Sequence, residues 1–168
     1  MKITAEYKGK QVTFDVPDET LDKLIEEPKK KTGWEKPVWG QTYWFIDELG
    51  EVEGKDWKDD ELDEKRYACG NCFTSKELAE NIARYQSLDL RIRRRIAEIC
   101  EPVDWKSRTW KSDIVYIHEE GRLVCGDTMT AQSASWCCDT KEHAKQIIEE
   151  FKDELTWYFT EFKDRMDG

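Results

Sequence analysis

Cys69, Gly70, Asn71 and Cys72 have the C-x-x-C spacing of a zinc knuckle or a redox thiol pair. A structural zinc ion takes four donors in a tetrahedron, and thiolates are among its preferred ligands. No second C-x-x-C and no H-x-x-x-H follows, so Cys137 and Cys138 complete a set only if the fold carries them to Cys69 and Cys72. Otherwise the cysteines are expected as buried thiols, which behave as small apolar side chains. A second thiol reading pairs Cys137 or Cys138 with His143 near a helix start, where cysteine pKa falls. Leu78 occupies the matching position in an internal repeat of the chain, which makes that pairing incidental. No phosphate-binding glycine loop, G-x-S-x-G or H-E-x-x-H occurs. The expectation is no catalytic residue, no resident metal and no cofactor.

Two charged groupings offer binding chemistry instead. Residues 47–66 hold ten acids (Asp47, Glu48, Glu51, Glu53, Asp56, Asp59, Asp60, Glu61, Asp63 and Glu64) against Lys55, Lys58, Lys65 and Arg66. That is −6 of a total net charge of −10. Its carboxylates could hold magnesium or calcium, but Asp56-Trp57-Lys58-Asp59-Asp60-Glu61 lacks the glycine and alternation of an EF-hand loop, so no such site is expected. Spaced carboxylates with Trp57 among them suit a basic protein groove, imitating a phosphate track and speeding the encounter electrostatically. Arg91, Arg94 and Arg95 form the opposite pole on one helical face, able to grip phosphate bidentately. The same face suits carboxylates of this chain or of a second copy in a homodimer.

These groups need elements to hold them. The chain has 168 residues, 12% of them aromatic, enough to build a core without disulfides. No apolar run spans a membrane, and the first residues, MKITAEYKGK, lack a signal-peptide apolar region. Reduced thiols in a cytosol follow. Alternation of Ile3, Ala5 and Tyr7, then Val12, Phe14 and Val16, predicts a hairpin turning at residues 8–10. A short helix over 19–27 and a linker over 28–37 follow. Residues 71–82 (NCFTSKELAENI) then match 136–147 (WCCDTKEHAKQI) at an offset of 65. Upstream, 43–46 (YWFI) with Gly50 matches 114–117 (IVYI) with Gly121 at an offset of 71, the first copy carrying the acidic stretch as a longer loop. Each copy reads as strand, Gly turn, strand, loop, strand and long helix. Thr74-x-x-Glu77 and Asp139-x-x-Glu142 read as capping boxes starting those helices. Apolar stripes continue from Leu78 to Ile99 and from Ala144 to Phe162. The expected fold is α+β: a hairpin–helix module over 1–32, then two antiparallel sheet–long helix units over 33–102 and 103–168, packed together.

The order TYWFIDELGEVEG, Trp57, GNCFTSKELAE, RIRRRIAEI, then Val103-Asp104-Trp105 and LTWYF resembles a family of small phage and prophage proteins of Gram-positive bacteria. That family shares Y-Y-x-I-x-x-x-G, a downstream Trp, G-N-x-F-x-T-x-E-E-A and a later I-D-W. The likeness covers residues 33–159, and Gly70-Asn71 before the capped helix is its most specific part. The sequence departs from it at Lys76-Glu77-Leu78, where the family has a doubled Glu, and at Cys69, where it has no fixed residue. The resemblance implies a mobile-element origin and residence in the cytoplasm of a bacterial host, and no activity. The expected function is a non-enzymatic, anti-defence type inhibitor that binds a host protein with a basic surface through residues 47–64, with Trp57 as aromatic anchor. Direct nucleic-acid binding is disfavoured by the acidity. The alternatives are a nucleotide or phosphate-ligand binder using Arg91, Arg94 and Arg95, and a zinc or metal-dependent protein.

Overall fold

Tyr43 to Ile46 are four consecutive apolar residues, and successive strand side chains point to opposite faces. Both faces of that strand must be covered, and this organises the first half of the main unit. A computed structural model of the chain describes residues 2–7, 10–15, 31–128 and 136–162. It is α+β, with helices and small antiparallel sheets, and divides into two compact units, residues 1–35 and 36–168.

In the first unit β1 (Lys2–Tyr7) pairs antiparallel with β2 (Lys10–Asp15), setting Ile3 opposite Phe14 and Ala5 opposite Val12. The exposed Thr4 and Thr13 hydroxyls lie 3.1 Å apart. Residues 8–9 of the expected turn and the helix expected over 19–27 lie outside the described residues, as does the start of the expected linker. Residues 31–37 form neither helix nor strand.

In the second unit β3 (Thr42–Ile46) and β4 (Val52–Asp56) form an antiparallel hairpin. Asp47 closes its turn by accepting from the N–H groups of Leu49 (2.9 Å) and Glu51 (2.8 Å). Gly50 supplies a φ of 84°, which costs glycine nothing. The acidic segment expected as a long loop is ordered instead: β4 takes its first part and α1 (Glu61–Ala68) its second. Asp60 caps α1 by accepting from the Asp63 N–H at 2.8 Å. The third strand expected in this half is a single bridge, in which Phe73 and Trp44 exchange two N–H···O bonds of 2.8 Å. The long helix α2 (Lys76–Ile99) follows.

In the second half β5 (Lys111–Ile117) lies between β6 (Arg122–Thr128) and the short β7 (Cys137–Cys138), all antiparallel. The single helix expected to carry the stripe from Ala144 to Phe162 is interrupted: α3 (Lys141–Glu150) ends at Phe151, α4 (Lys152–Trp157) resumes, and a π-helical turn closes it over Tyr158–Phe162. The caps also differ from expectation by one residue. Ser75 and Thr140, not Thr74 and Asp139, accept from the N–H groups of Leu78 (3.3 Å) and His143 (3.2 Å). Glu77 and Glu142 therefore lie one position short of a capping box, in the first turn, where the positive helix end favours them.

The pairing registers of the halves differ. The offset of 71 carries Trp44, the partner of Phe73, onto Val115, yet Cys138, which matches Phe73, pairs with Ser112. The third strand is thus displaced by three residues against its hairpin.

α2 runs antiparallel to α3 and α4, since Arg91 pairs with Glu154 and Arg95, one turn on, with Glu150. Its apolar stripe serves both sheets. Ala79 and Ile82 pack with Ile46, Phe73, Trp157 and Phe162. Leu88 and Ile92 pack with Ile114, Trp136, Cys138, Ala144, Ile147 and Leu155. At the seam Tyr85 stacks on Phe162 (ring centroids 4.9 Å apart) and on Tyr158 (5.5 Å). Each fully buried Leu or Ile contributes roughly 1.5–3 kcal/mol, against about 0–1 kcal/mol for an exposed ion pair. The stripe therefore holds the helices together, and the Arg–Glu pairs add alignment. Among the described residues no helix is long and apolar enough to cross a membrane.

Candidate functional site

The acidic segment is built around one buried carboxylate. Tyr43 and Phe45 leave β3 on the face opposite α2 and form a separate small core with Trp57 and Cys72. The Trp57 indole meets the Tyr43 ring edge-on at 5.6 Å and the Tyr67 ring at 6.4 Å. Asp63, the one buried residue of α1, enters this core with no exposed surface. It accepts from the Tyr43 hydroxyl (2.8 Å), the Lys55 ammonium (2.9 Å) and the Lys58 N–H (2.8 Å). Burial alone would raise its pKa, but the bonds from Lys55, Lys58 and Tyr43 together outweigh it and hold the carboxyl well below the usual range. Arg66 completes the network, donating to the Tyr43 oxygen at 2.9 Å with its guanidinium 3.4 Å over the Phe45 ring.

Several other acids of the segment serve the fold locally. Asp60 caps α1 and accepts from Lys55 at 3.0 Å, and its own pKa is lowered by the Asp63 N–H first and Lys55 second. Asp59 accepts from the Trp57 indole N–H, Asp56 from the Thr42 hydroxyl at 2.9 Å, and Glu64 from Lys36 at 2.6 Å. Glu61 pairs with Lys65 at 2.7 Å across one exposed turn. Glu48, Glu51 and Glu53 are exposed, as are Asp56 and Glu61. The result is a group of exposed carboxylates around a hairpin and helix that Asp63 and Asp60 hold together from within.

Two of the expected contact residues are corrected by this geometry. Trp57 and Asp63 are both fully buried, so neither can touch a partner. Trp57 is a core residue because β3 needs cover on its second face. Near the segment the exposed aromatics are Trp39, 71% accessible beside Val38, and Tyr67 on α1, 38% accessible. Its turn is tied to Trp57 by backbone bonds, Gly40 N–H to the Trp57 carbonyl and Trp57 N–H to the Gln41 carbonyl, both 2.9 Å. Leu62, on α1, is also exposed. An aromatic beside Gly40, outside the acidic run, was the available signal for Trp39.

Gly70-Asn71 has a structural role. Gly70 ends α1 with a φ of 78°, and the Asn71 side chain then pairs with the backbone of Ile46. Its oxygen accepts from the Ile46 N–H (2.8 Å) and its nitrogen donates to the Ile46 carbonyl (2.7 Å), continuing the sheet.

The arginine face is neutralised internally. Arg91 makes a two-pronged contact to Glu154, while Arg95 pairs with Glu150 (2.9 Å) and Glu98 (3.2 Å). These residues, with Arg94 and Phe151, line a cleft of about 320 Å³ holding three arginines and three glutamates. A phosphate there would have to displace carboxylates already in place. Arg94 is exposed and makes no ion pair among the described residues.

The four-cysteine zinc set does not assemble. Cys72 lies in the small core under α1, with burial pushing its thiol up to about 11, and Cys69 is exposed. Cys138 lies in the other core, and burial raises its pKa strongly as well. Among the described residues the one grouping of three metal-capable side chains is Cys100, Asp139 and His143. Neither Cys137 nor Cys138 is the partner of His143; its Nδ1 lies 2.6 Å from the Asp139 carboxylate. Cys100 and His143 are 43 positions apart, and no spacing pattern flags them. No protein-family model, no curated protein and no solved structure matches this chain.

Proposed function

We propose that this chain is a non-enzymatic binding protein that takes a basic protein surface on its acidic face, residues 36–68. The observation that carries this reading is the division of labour among the carboxylates. Asp63 and Asp60 lock α1 over a closed core, while Glu51, Glu53, Asp56 and Glu61 remain outside on a fixed frame with Trp39 and Leu62. Prearranged charge speeds encounter with an oppositely charged groove, and an exposed aromatic supplies the anchor that exposed charges lack. The likeness to phage and prophage proteins gives the reading its biological form: an accessory protein in the cytoplasm of a bacterial host that inhibits a nucleic-acid-binding host factor by occupying its phosphate track. We further propose that the two sheet–helix segments are copies of one unit, which their constant offset of 65 over residues 71–82 and 136–147 supports.

The test uses a variant that spares the internal network, Glu51→Gln, Glu53→Gln, Asp56→Asn and Glu61→Gln together. Wild-type protein immobilised against a bacterial lysate should capture a basic protein that is released by salt and displaced by duplex DNA. The variant should fold as the wild type by circular dichroism and lose that capture. Undiminished capture by the variant, or capture indifferent to salt and DNA, would refute the acidic-face reading.

A further inference from the structure

The geometry points to a divalent transition-metal site of the zinc class at Cys100, Asp139 and His143, where the end of α2 meets the start of α3. Cys100 caps the C-terminus of α2, Asp139 immediately precedes the α3 cap, and His143 is in the first turn of α3. One ligand atom from each lies within 4.8 Å of the other two, and all three residues are half-buried. A tetrahedral zinc ion with bonds of about 2.0–2.3 Å needs donors roughly 3.4–3.6 Å apart. Side-chain rotations of about an ångström reach that arrangement, with the 2.6 Å contact between Asp139 Oδ1 and His143 Nδ1 opening to admit the ion.

A hydrogen bond now joins two of the donors that a cation would bridge, His143 Nδ1 and Asp139 Oδ1. The Cys100 thiol lies beside the Asp139 carboxylate, with the Cys138 thiol nearby. The Glu101 N–H donates to Asp139 Oδ2 at 3.1 Å. Metal uptake expels the thiol proton of Cys100 to solvent and leaves a thiolate as ligand. One sulfur, one imidazole and one carboxylate suit zinc or cobalt(II), whereas magnesium and calcium demand all-oxygen shells. Water takes the fourth position, as the grouping is only half-buried. A bound ion fastens the last turn of α2 to the first turn of α3. The site is independent of the acidic face.

The full chain, reduced and stripped of metal, is titrated with cobalt(II) and then zinc(II). The expected result is a thiolate-to-cobalt charge-transfer band with tetrahedral d–d bands, saturating at one equivalent and erased by one equivalent of zinc. Cys100→Ser should abolish the charge-transfer band, and His143→Ala, which removes a direct ligand, should weaken cobalt binding by more than the roughly tenfold to hundredfold that loss of an outer-shell partner costs. Cys69→Ser, at an exposed thiol outside the grouping, should change neither. Absence of the bands at one equivalent, or their survival in Cys100→Ser, overturns the proposal. So does unchanged affinity in His143→Ala, a half-exposed position whose replacement should leave the circular dichroism of the fold intact.

Discussion

The two hairpins of the main unit present similar apolar strands to unlike surroundings. In β3, Trp44 and Ile46 face α2, and Tyr43 and Phe45 face the small core closed by α1. In β5, Ile114 and Tyr116 pack toward α3, while Val115, on the other face, is 37% exposed. The acidic segment accounts for the difference. It is a second cover for β3, whereas among the described residues no helix lies over the second face of β5. A stretch whose composition reads as solvated loop thus does core work on its inner side and carries charge on its outer side.

That contrast can be broken most forcefully with a pair of truncations. Phe45→Ala should cost about 3–5 kcal/mol by leaving a cavity under α1, and Val115→Ala should cost below about 1 kcal/mol. Urea unfolding of both variants measures this, and equal costs would mean that β3 and β5 are covered alike.

A smaller effect isolates the carboxylate inside the cover. Asp63→Asn should cost about 1–3 kcal/mol at neutral pH, since the bonds from Lys55, Lys58 and Tyr43 go to a charged acceptor. The folded carboxyl titrates below its unfolded value of about 3.9, so its contribution is complete above that pH. It fades as pH falls through the unfolded value toward the folded one. Urea midpoints of wild type and Asp63→Asn should therefore converge between about pH 5 and pH 2. A gap that stays constant over that range would show that the charge is not what Asp63 contributes.

The smallest expected change lies between the helices. Arg91→Ala or Arg95→Ala should each cost about 0.2–1 kcal/mol, less at high salt, because these pairs are partly exposed. A loss of several kcal/mol would move the helix pairing from the apolar stripe to the ion pairs.

Much of this architecture is written in local pattern. The stripe from Leu78 to Ile99 folds as one helix, and the YWFI and IVYI runs are strands. The cap positions slipped by one because Thr74 and Ser75, like Asp139 and Thr140, are neighbouring residues with equally suitable oxygens. Asp139 is occupied elsewhere, by His143 and the Glu101 N–H. No apolar stripe marks α1, because its buried residue is an aspartate. Trp57 has the local pattern of an exposed anchor, because its acidic neighbours carry no sign that β3 needs a second cover.

The sequence by itself determined the hairpin strands and the long helix α2 with their faces, since period and turn chemistry act over a few residues, where the chain is its own context. It also determined the sign of the surface charge. Which carboxylates point outward, which arginines are already paired, and that Cys100 meets Asp139 and His143 were decided only by the tertiary structure. Those facts depend on partners tens of residues away, and a polar group is buried or exposed according to what the packing of other elements brings against it.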